Sequence, residues 1–424
     1  MITFLIKGLF RDRSRSLFPT ITVMMGVALT VLLYCWVRGT ETDIVRANAT
    51  FSTGHLKIMS RAYAELSDQI PNDLAYIGVS DLINQLKNEF PSLIWTPRIR
   101  FGGLLDIPDE SGETRVQSPV AGMGVDLLSG NPLEEEILNL SKALVSGRLP
   151  QNAGEILLSH DLVKRLQIKL GDTATLISST MYGSLTTYNF VVVGTIHFGI
   201  SAMDRGAILA DLADVQTALD MQDAAGEILG FFRDELYWDQ KANEIALRFN
   251  QQYKEIRDDF APRMLTLRQQ AGLAQILDYT TYLSGMLIGI FVIVMSIVLW
   301  NAGLMASIRR YGEIGIRLAM GEDKNHLYVM MVAESLLIGL VGTIIGTAIG
   351  VGISYYLQVK GLDISSMLKN ASMIISDVLR AQITPWSFMI GFIPGLFSTF
   401  LGTSLAGIGI YRRQTSQLTK EFEA

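Results

Sequence analysis

Four apolar segments, residues 17–37, 279–304, 327–357 and 385–410, are each long enough to cross a bilayer as a helix, which takes about 20 residues at 1.5 Å of rise each. Nothing else in the chain limits its fold so strongly. In hydrocarbon a backbone has no water to bond, so each crossing must satisfy its own N–H and C=O groups, as a helix does. The first run, LFPTITVMMGVALTVLLYCWV, is longer than the apolar core of a signal peptide, about 7–15 residues. No small-x-small cleavage site follows it, so it is expected to remain as an anchor. Of 424 residues 49% are hydrophobic and 18% charged, too apolar for a plain soluble protein and too charged for one wholly in lipid.

Basic residues near the spans give an orientation. The segment 1–16 carries Lys7, Arg11, Arg13 and Arg15, the segment 305–326 carries Arg309, Arg310, Arg317 and Lys324, and the tail 411–424 carries Arg412, Arg413 and Lys420. With four spans these three lie on one side, which the positive-inside rule makes cytoplasmic. The loop 358–384, with Lys360, Lys369 and Arg380, pulls the other way and is outvoted. Residues 38–278 then lie outside, with 21 Lys and Arg against 32 Asp and Glu.

That outer region is expected to be a mixed α+β domain of two lobes. SDLINQLKNE at 80–89 has the spacing of an amphipathic helix, and GEILLSHDLVKRLQI reads as a strand, a cap and a helix. YNFVVVGTIHF is a β-branched run, 239–258 is charged and helical, and 264–278 is expected to run as helix into the second span.

Enzyme signatures are missing. No stretch matches G-x-x-x-x-G-K-[ST], G-x-S-x-G or H-E-x-x-H, so the chain alone is expected not to hydrolyse ATP. His55, His160, His197 and His326 have no metal-ligand spacing, and Cys35, in an apolar run, reads as a buried thiol. The acidic pair Asp109–Glu110 and the run Glu134–Glu136 read as solvated charge. No catalytic site, metal site or nucleic-acid surface is expected.

RRYGEIGIRLAMG at 309–321 sits between two apolar runs. At 100° per residue Arg309, Arg310, Glu313 and Arg317 share one arc, while Ile308, Tyr311, Ile314, Leu318 and Ala319 fill most of the other side. Arg309–Glu313 and Glu313–Arg317 are i, i+4 pairs, and Gly321 suits a left-handed helix end. Periodicity alone fits two readings equally: an ordinary basic loop that is helical, or a membrane-surface helix with its charged face toward a partner. In the third span Gly342, Gly346 and Gly350 recur every four residues, which clears one face for another backbone. Glu334, near the start of that span, must reach the interface or a partner.

RRYGEIGIRLAMGEDKNHLYVMMVAESLLIGLVGTIIG resembles the junction of ABC-transporter permeases of the MacB/FtsX-like superfamily, with their R-x-x-E-I-G-I-x-x-A-x-G pattern. The layout of one span, a large outer domain and three spans is similar too. GHLKI at 54–58, SGRLPQNAGEILLSHDLVKRLQIKLGDTATL and VVVGTIHFGISAMDRGAILADLADVQTAL resemble, more narrowly, lipoprotein-releasing (LolC/LolE-type) permeases, so the likeness covers nearly the whole chain.

The resemblance implies a bacterial inner-membrane subunit that works with a separate ABC ATPase dimer, which would hold the ATP and Mg²⁺, and with a second permease copy or paralogue. It implies that 309–321 is the ATPase-coupling helix, with Arg309, Arg310, Glu313, Ile314, Gly315, Arg317, Leu318, Gly321 and Glu334 as coupling residues. It implies a lateral substrate cavity involving Met24, Met25, Ala28, Val31, Met286, Phe291 and Met295, where methionines suit acyl chains. A periplasmic carrier is a further implied partner. The hairpin that grips such a carrier in one permease type is matched here by ISSTMYGSLTTYN at 177–189, which is short and lacks proline. The implied function is release of lipoproteins or other amphiphiles from the outer leaflet. The alternatives are export of peptides or small toxic molecules through an outer-membrane partner, and signalling to an outer hydrolase without transport.

Overall fold

The computed structural model describes residues 13–109, 111–233, 237–270, 272–308, 311–364 and 378–412. It forms two compact units, one of Met1–Thr42, Tyr279–Leu362 and Leu379–Ala424, the other of Asp43–Asp278 and Asp363–Val378.

The long helices are Arg13–Asn48, Leu273–Ile308 and Lys324–Lys360, of 36, 36 and 37 residues, of which the first unit holds the parts up to Thr42, from Tyr279, and all of Lys324–Lys360. At 1.5 Å per residue each is about 54 Å long and overhangs a hydrocarbon core of about 30 Å. The first and second helices therefore reach beyond the apolar runs 17–37 and 279–304. The fourth span is broken into a 3₁₀ turn at Pro385–Phe388, a π-helical turn at Ile393–Phe397 and an α-helix at Ser398–Arg412. Pro394 lies in the π turn, as expected where a missing N–H disrupts the i, i−4 ladder.

The glycine stripe takes the first helix against its backbone. A Cβ added at Gly342 would lie 2.8 Å from Val23 Cγ1, one at Gly346 2.5 Å from the Met24 carbonyl, and one at Gly350 2.9 Å from the Ala28 carbonyl. Val23, Val27 and Val31 are buried there with Tyr34, Cys35 and Leu299. The Cys35 thiol donates to Ser387 Oγ at 3.2 Å.

The second unit is built on one ten-stranded sheet. Its order is Pro262–Thr266, Leu56–Ser60, Glu227–Phe232, Leu93–Pro108, Thr114–Val125, Ala207–Asp211, Glu155–Ser159, Leu185–Ile196 and Leu144–Gly147, with Thr173–Ser179 pairing both Leu93–Pro108 and Leu185–Ile196. The 16-residue strand Leu93–Pro108 joins the two halves, which therefore share a sheet. One apolar core runs from Leu56 and Ile58 through Trp95, Phe101 and Leu105 to Phe190 and Val192. Helices Val79–Glu89, His160–Leu166 and Asp239–Gln252 occupy the expected stretches, the last stopping before 258.

One expectation fails. Residues 264–278 are not one helix: Pro262–Thr266 is a strand, Leu267–Gln269 a 3₁₀ turn, and the helix begins at Leu273. Pairing decides it, with Leu56 opposite Thr266 and Ile58 opposite Met264 in an antiparallel ladder. Gly272, at φ 67°, separates the turn from the helix.

At the head of Glu155–Ser159, the Glu155 carboxylate accepts from Arg148 Nη1 at 2.6 Å, from the Gln151 and Asn152 backbone N–H groups at 2.8 and 3.2 Å, and from Asn152 Nδ2 at 2.9 Å. Arg148 foremost, then these amides, hold the carboxyl well below the usual range although burial opposes them. A depressed folded pKa adds stability above the unfolded value, about 4.3, and that stability fades as pH falls below it. The melting-temperature gap between wild type and Glu155→Gln should therefore be constant above about pH 5 and shrink progressively as pH falls below about 4, closing only as pH passes the depressed folded value, followed by tryptophan fluorescence. A gap that does not change with pH would rule this out.

Candidate functional site

Residues Tyr311–Ala319 form a nine-residue helix between the second and third long helices. Tyr311, Gly312, Ile314 and Gly315 are buried, and Tyr311 and Ile314 pack on Leu327 and Met331 of the third helix, with Leu318 against them. The Tyr311 hydroxyl donates to the Ala406 carbonyl of the fourth span. The helix ends in a Schellman arrangement: Glu322 N–H bonds to the Arg317 carbonyl at 3.1 Å and Gly321 N–H to the Leu318 carbonyl at 3.0 Å, with Gly321 at φ 92°. A side chain at Gly321 would be strained there whatever the space around it.

The outward face carries Ile316 and Met320, 53% and 76% exposed. Glu313 and Arg317 are half-exposed and 3.6 Å apart, an ion pair too long to be a hydrogen bond. Arg317 Nη1 also lies 3.3 Å from Met330 Sδ. Glu334, one turn past Met330 on the third helix, is half-buried. Arg309 and Arg310 lie outside the described residues.

Beside this helix the membrane unit has a half-open cleft of about 600 Å³, lined by Glu313 and by residues of all four spans. Sequence reasoning missed it, although a polar Asn301 inside an apolar run was a signal.

The residues expected in a lateral substrate cavity divide. Met25 and Met286 are each 58% exposed, and Met24, Ala28, Phe291 and Met295 are half-buried. Val31 is fully buried against Gly350 and cannot line such a cavity in this arrangement. The β-branched side chain fills the space that the glycine leaves.

A further correction concerns charge in the second unit. Glu134, expected to be solvated, is 1% exposed. Arg98 grips it through Nε at 2.9 Å and Nη2 at 2.7 Å, and the Thr96 hydroxyl donates at 2.6 Å. Lys57, in the GHLKI stretch, is buried 2.9 Å from Glu227, which also meets Arg100 at 2.6 Å. Burial pushes the Lys57 ammonium down to about 8, against the pull of Glu227. Asp109, by contrast, is exposed and caps its own turn through Ser111.

A family model described as FtsX-like permease C-terminal matches residues 285–415, which include the second span from Gly285, the short helix, the third span and the fourth. The chain carries an FtsX-like permease domain. Within it fall the Tyr311 and Ile314 anchors, Gly342, Gly346 and Gly350, and most of the cavity wall. Relatives include the lipoprotein-releasing system transmembrane protein LolC of Xylella fastidiosa strain 9a5c, 24% identical over 58% of this chain and 59% of that one. The macrolide export ATP-binding/permease protein MacB of Bdellovibrio bacteriovorus is 31% identical over 27% of this chain and 18% of that one. Matches to the LolC proteins span 53–59% of their length. Among solved structures, the periplasmic region of MacB from Actinobacillus actinomycetemcomitans aligns at TM-score 0.37 and 13% identity, over 57% of this chain and 95% of that one.

Proposed function

We propose that this chain is the permease subunit of an ATP-driven ABC transporter that lifts lipoproteins or similar amphiphiles from the outer leaflet of a bacterial inner membrane. The observation that supports it most is the FtsX-like domain's short helix. One face is anchored by Tyr311, Ile314, Leu327 and Met331, and the other presents Ile316, Arg317 and Met320 outward. Such a helix can take a push on its exposed face and pass it to the third and fourth spans, because its other side is packed and bonded to both. The pushing partner is an ABC ATPase dimer that holds ATP and Mg²⁺ itself. The short helix and both termini then lie in the cytoplasm, and a second permease copy or paralogue completes the pathway. A periplasmic carrier would receive the cargo. The MacB relative, named for macrolide export, supports efflux as the second reading.

Glu313→Ala tests the coupling role. One exposed i, i+4 pair is worth about 0.2–0.5 kcal/mol, so insertion and yield should hardly change. A desolvated charge contact with a partner costs about 2–5 kcal/mol when truncated, so the ATPase that co-purifies with the tagged full chain should fall about tenfold or more. Glu136→Ala, on the exposed surface of the outer unit, is the control. Equal ATPase recovery and equal substrate release for both variants would return the segment to an ordinary loop.

A further inference from the structure

Strand Leu93–Pro108 has one short stretch of edge without a neighbouring strand. Glu227–Phe232 and Thr114–Val125 flank it on opposite sides, the first pairing with residues 93–98 and the second only from Ile99 onward. Backbone alternation fixes which groups are left open. His55 N–H bonds to the Gly230 carbonyl at 2.9 Å, so Gly230, opposite Trp95, turns its groups toward Leu56–Ser60 and away from Trp95. In an antiparallel ladder such a pair exchanges no bonds. The Trp95 N–H and C=O and the Pro97 C=O therefore point to the open edge. Leu93 points the same way, and its N–H bonds to the Phe90 carbonyl at 3.1 Å. Pro97 has no N–H to leave unpaired, which suits an edge. Among the described residues these three groups have no bonded partner.

The strand that would cover them is drawn off. The Asp211 carboxylate accepts from the Leu127 and Leu128 N–H groups at 2.9 and 3.0 Å, so the chain turns away after Val125. A cleft of about 250 Å³ remains over Trp95 and Pro97, between helix Val79–Glu89 and the loop that follows Val125. Its two carboxylates are engaged, Asp126 by Ser129 and Glu134 by Arg98 and Thr96. The Lys87 ammonium and the Asn84 and Asn131 side-chain amides, also on its wall, keep donors without a partner among the described residues. We propose that this cleft docks an extended peptide segment of another protein, which continues the sheet as a short strand against Trp95–Pro97. The guest residue opposite Trp95 donates its N–H to the Trp95 carbonyl and accepts from the Trp95 N–H. A second guest N–H donates to the Pro97 carbonyl, about 7 Å farther along the strand. An open strand edge is a template for another strand, and strand addition takes its affinity from the main chain. An anion would match the Lys87 and amide donors but would face the Trp95 and Pro97 carbonyls, which peptide N–H groups satisfy.

The test needs no ATPase, so its result stands apart from the coupling reading. Asn88→Cys puts a thiol on the exposed side of helix Val79–Glu89, one turn beyond Asn84, while the native Cys35 is buried. The detergent-purified full chain is equilibrated, in excess mercaptoethanol, with the tethering peptide acetyl-Cys-Ser-Ala-Ser-amide. The comparison peptide is the same one N-methylated at its two central residues, which removes donors and keeps the side chains. By intact mass the unmodified peptide should be retained about tenfold or more over the methylated one, as two main-chain hydrogen bonds predict. Asn84→Trp in the same background, which fills the cleft, should erase the preference. Glu113→Cys, exposed at the tip of the hairpin formed by Leu93–Pro108 and Thr114–Val125, should show none. Equal retention of the two peptides at Asn88→Cys, a preference that survives Asn84→Trp, or the same preference at Glu113→Cys would each overturn the site. The contrast at Asn88→Cys decides the matter even where Asn84→Trp fails to fold.

Discussion

Gly346→Leu is expected to abolish the folded membrane unit, while Gly352→Leu, six residues along the same helix, leaves it intact. At Gly346 a Cβ would stand 2.5 Å from the Met24 carbonyl oxygen and 2.9 Å from Val27 Cβ, whereas at Gly352 nothing lies within 4 Å. A backbone carbonyl cannot turn aside as a side chain can, so the first and third helices must part. Parting removes the packing of Val23, Val27 and Val31 along the whole stripe, and in lipid no hydrophobic force restores it, since association there rests on close packing. Overpacking by a few methylenes costs about 1–3 kcal/mol in a soluble core, and a leucine against backbone exceeds that range. The measurement is the monodisperse fraction on fluorescence-detected size exclusion after detergent extraction. Gly346→Ala should fall between, and Gly352→Ala should be neutral or better, because alanine is about 1 kcal/mol the better helix former. Matching profiles for the two leucine variants would refute the stripe as a backbone contact.

How much of this could be read from the residues depends on how local the cause is. The spans were legible because length and apolarity alone specify a helix in lipid. The stripe was legible because spacing of four keeps glycines on one face. Glu155–Ser159 followed by His160–Leu166 was legible because a short apolar strand, a serine at the N-cap position and a charged helix lie in one window, although the Ser159 side chain makes no cap bond. Pro262–Thr266 was not, since its partner lies about 200 residues earlier at Leu56–Ser60, and local propensity has no access to that pairing. The apolar arc of Tyr311, Ile314 and Leu318 could be drawn from periodicity. Which neighbour it meets could not, because Ala406 is 95 residues away. The cavity was invisible for the same reason, with walls running from Phe18 to Thr403. Glu134 was misread because an acidic run on an acidic domain is usually solvated, and only the fold brings Arg98 to it.

That buried pair carries the other large expectation. Arg98 and Glu134 are each 1% exposed, joined by two hydrogen bonds, and Arg98 also donates to the Thr50 carbonyl at 2.6 Å and lies 5.9 Å from the centre of the Phe231 ring. Removing one partner leaves the other charged and out of water, which costs about 3–5 kcal/mol. Arg98→Met should therefore lower the melting temperature of the sheet-containing unit by roughly 6–20 °C, at about 2–4 °C per kcal/mol for a domain of this size. Removing both charges is a different case, because the desolvation penalty disappears with the attraction. The double variant Arg98→Met, Glu134→Leu should regain most of the loss, short of the wild type by about 1–3 kcal/mol for the orphaned Thr50 carbonyl and Thr96 hydroxyl. Tryptophan fluorescence melts of the full chain supply all four corners of the cycle, with Trp95 in the neighbouring core as an internal reporter. If the double variant lost the sum of the two single losses, the pair would be energetically uncoupled and Glu134 would be held by its surroundings rather than by Arg98.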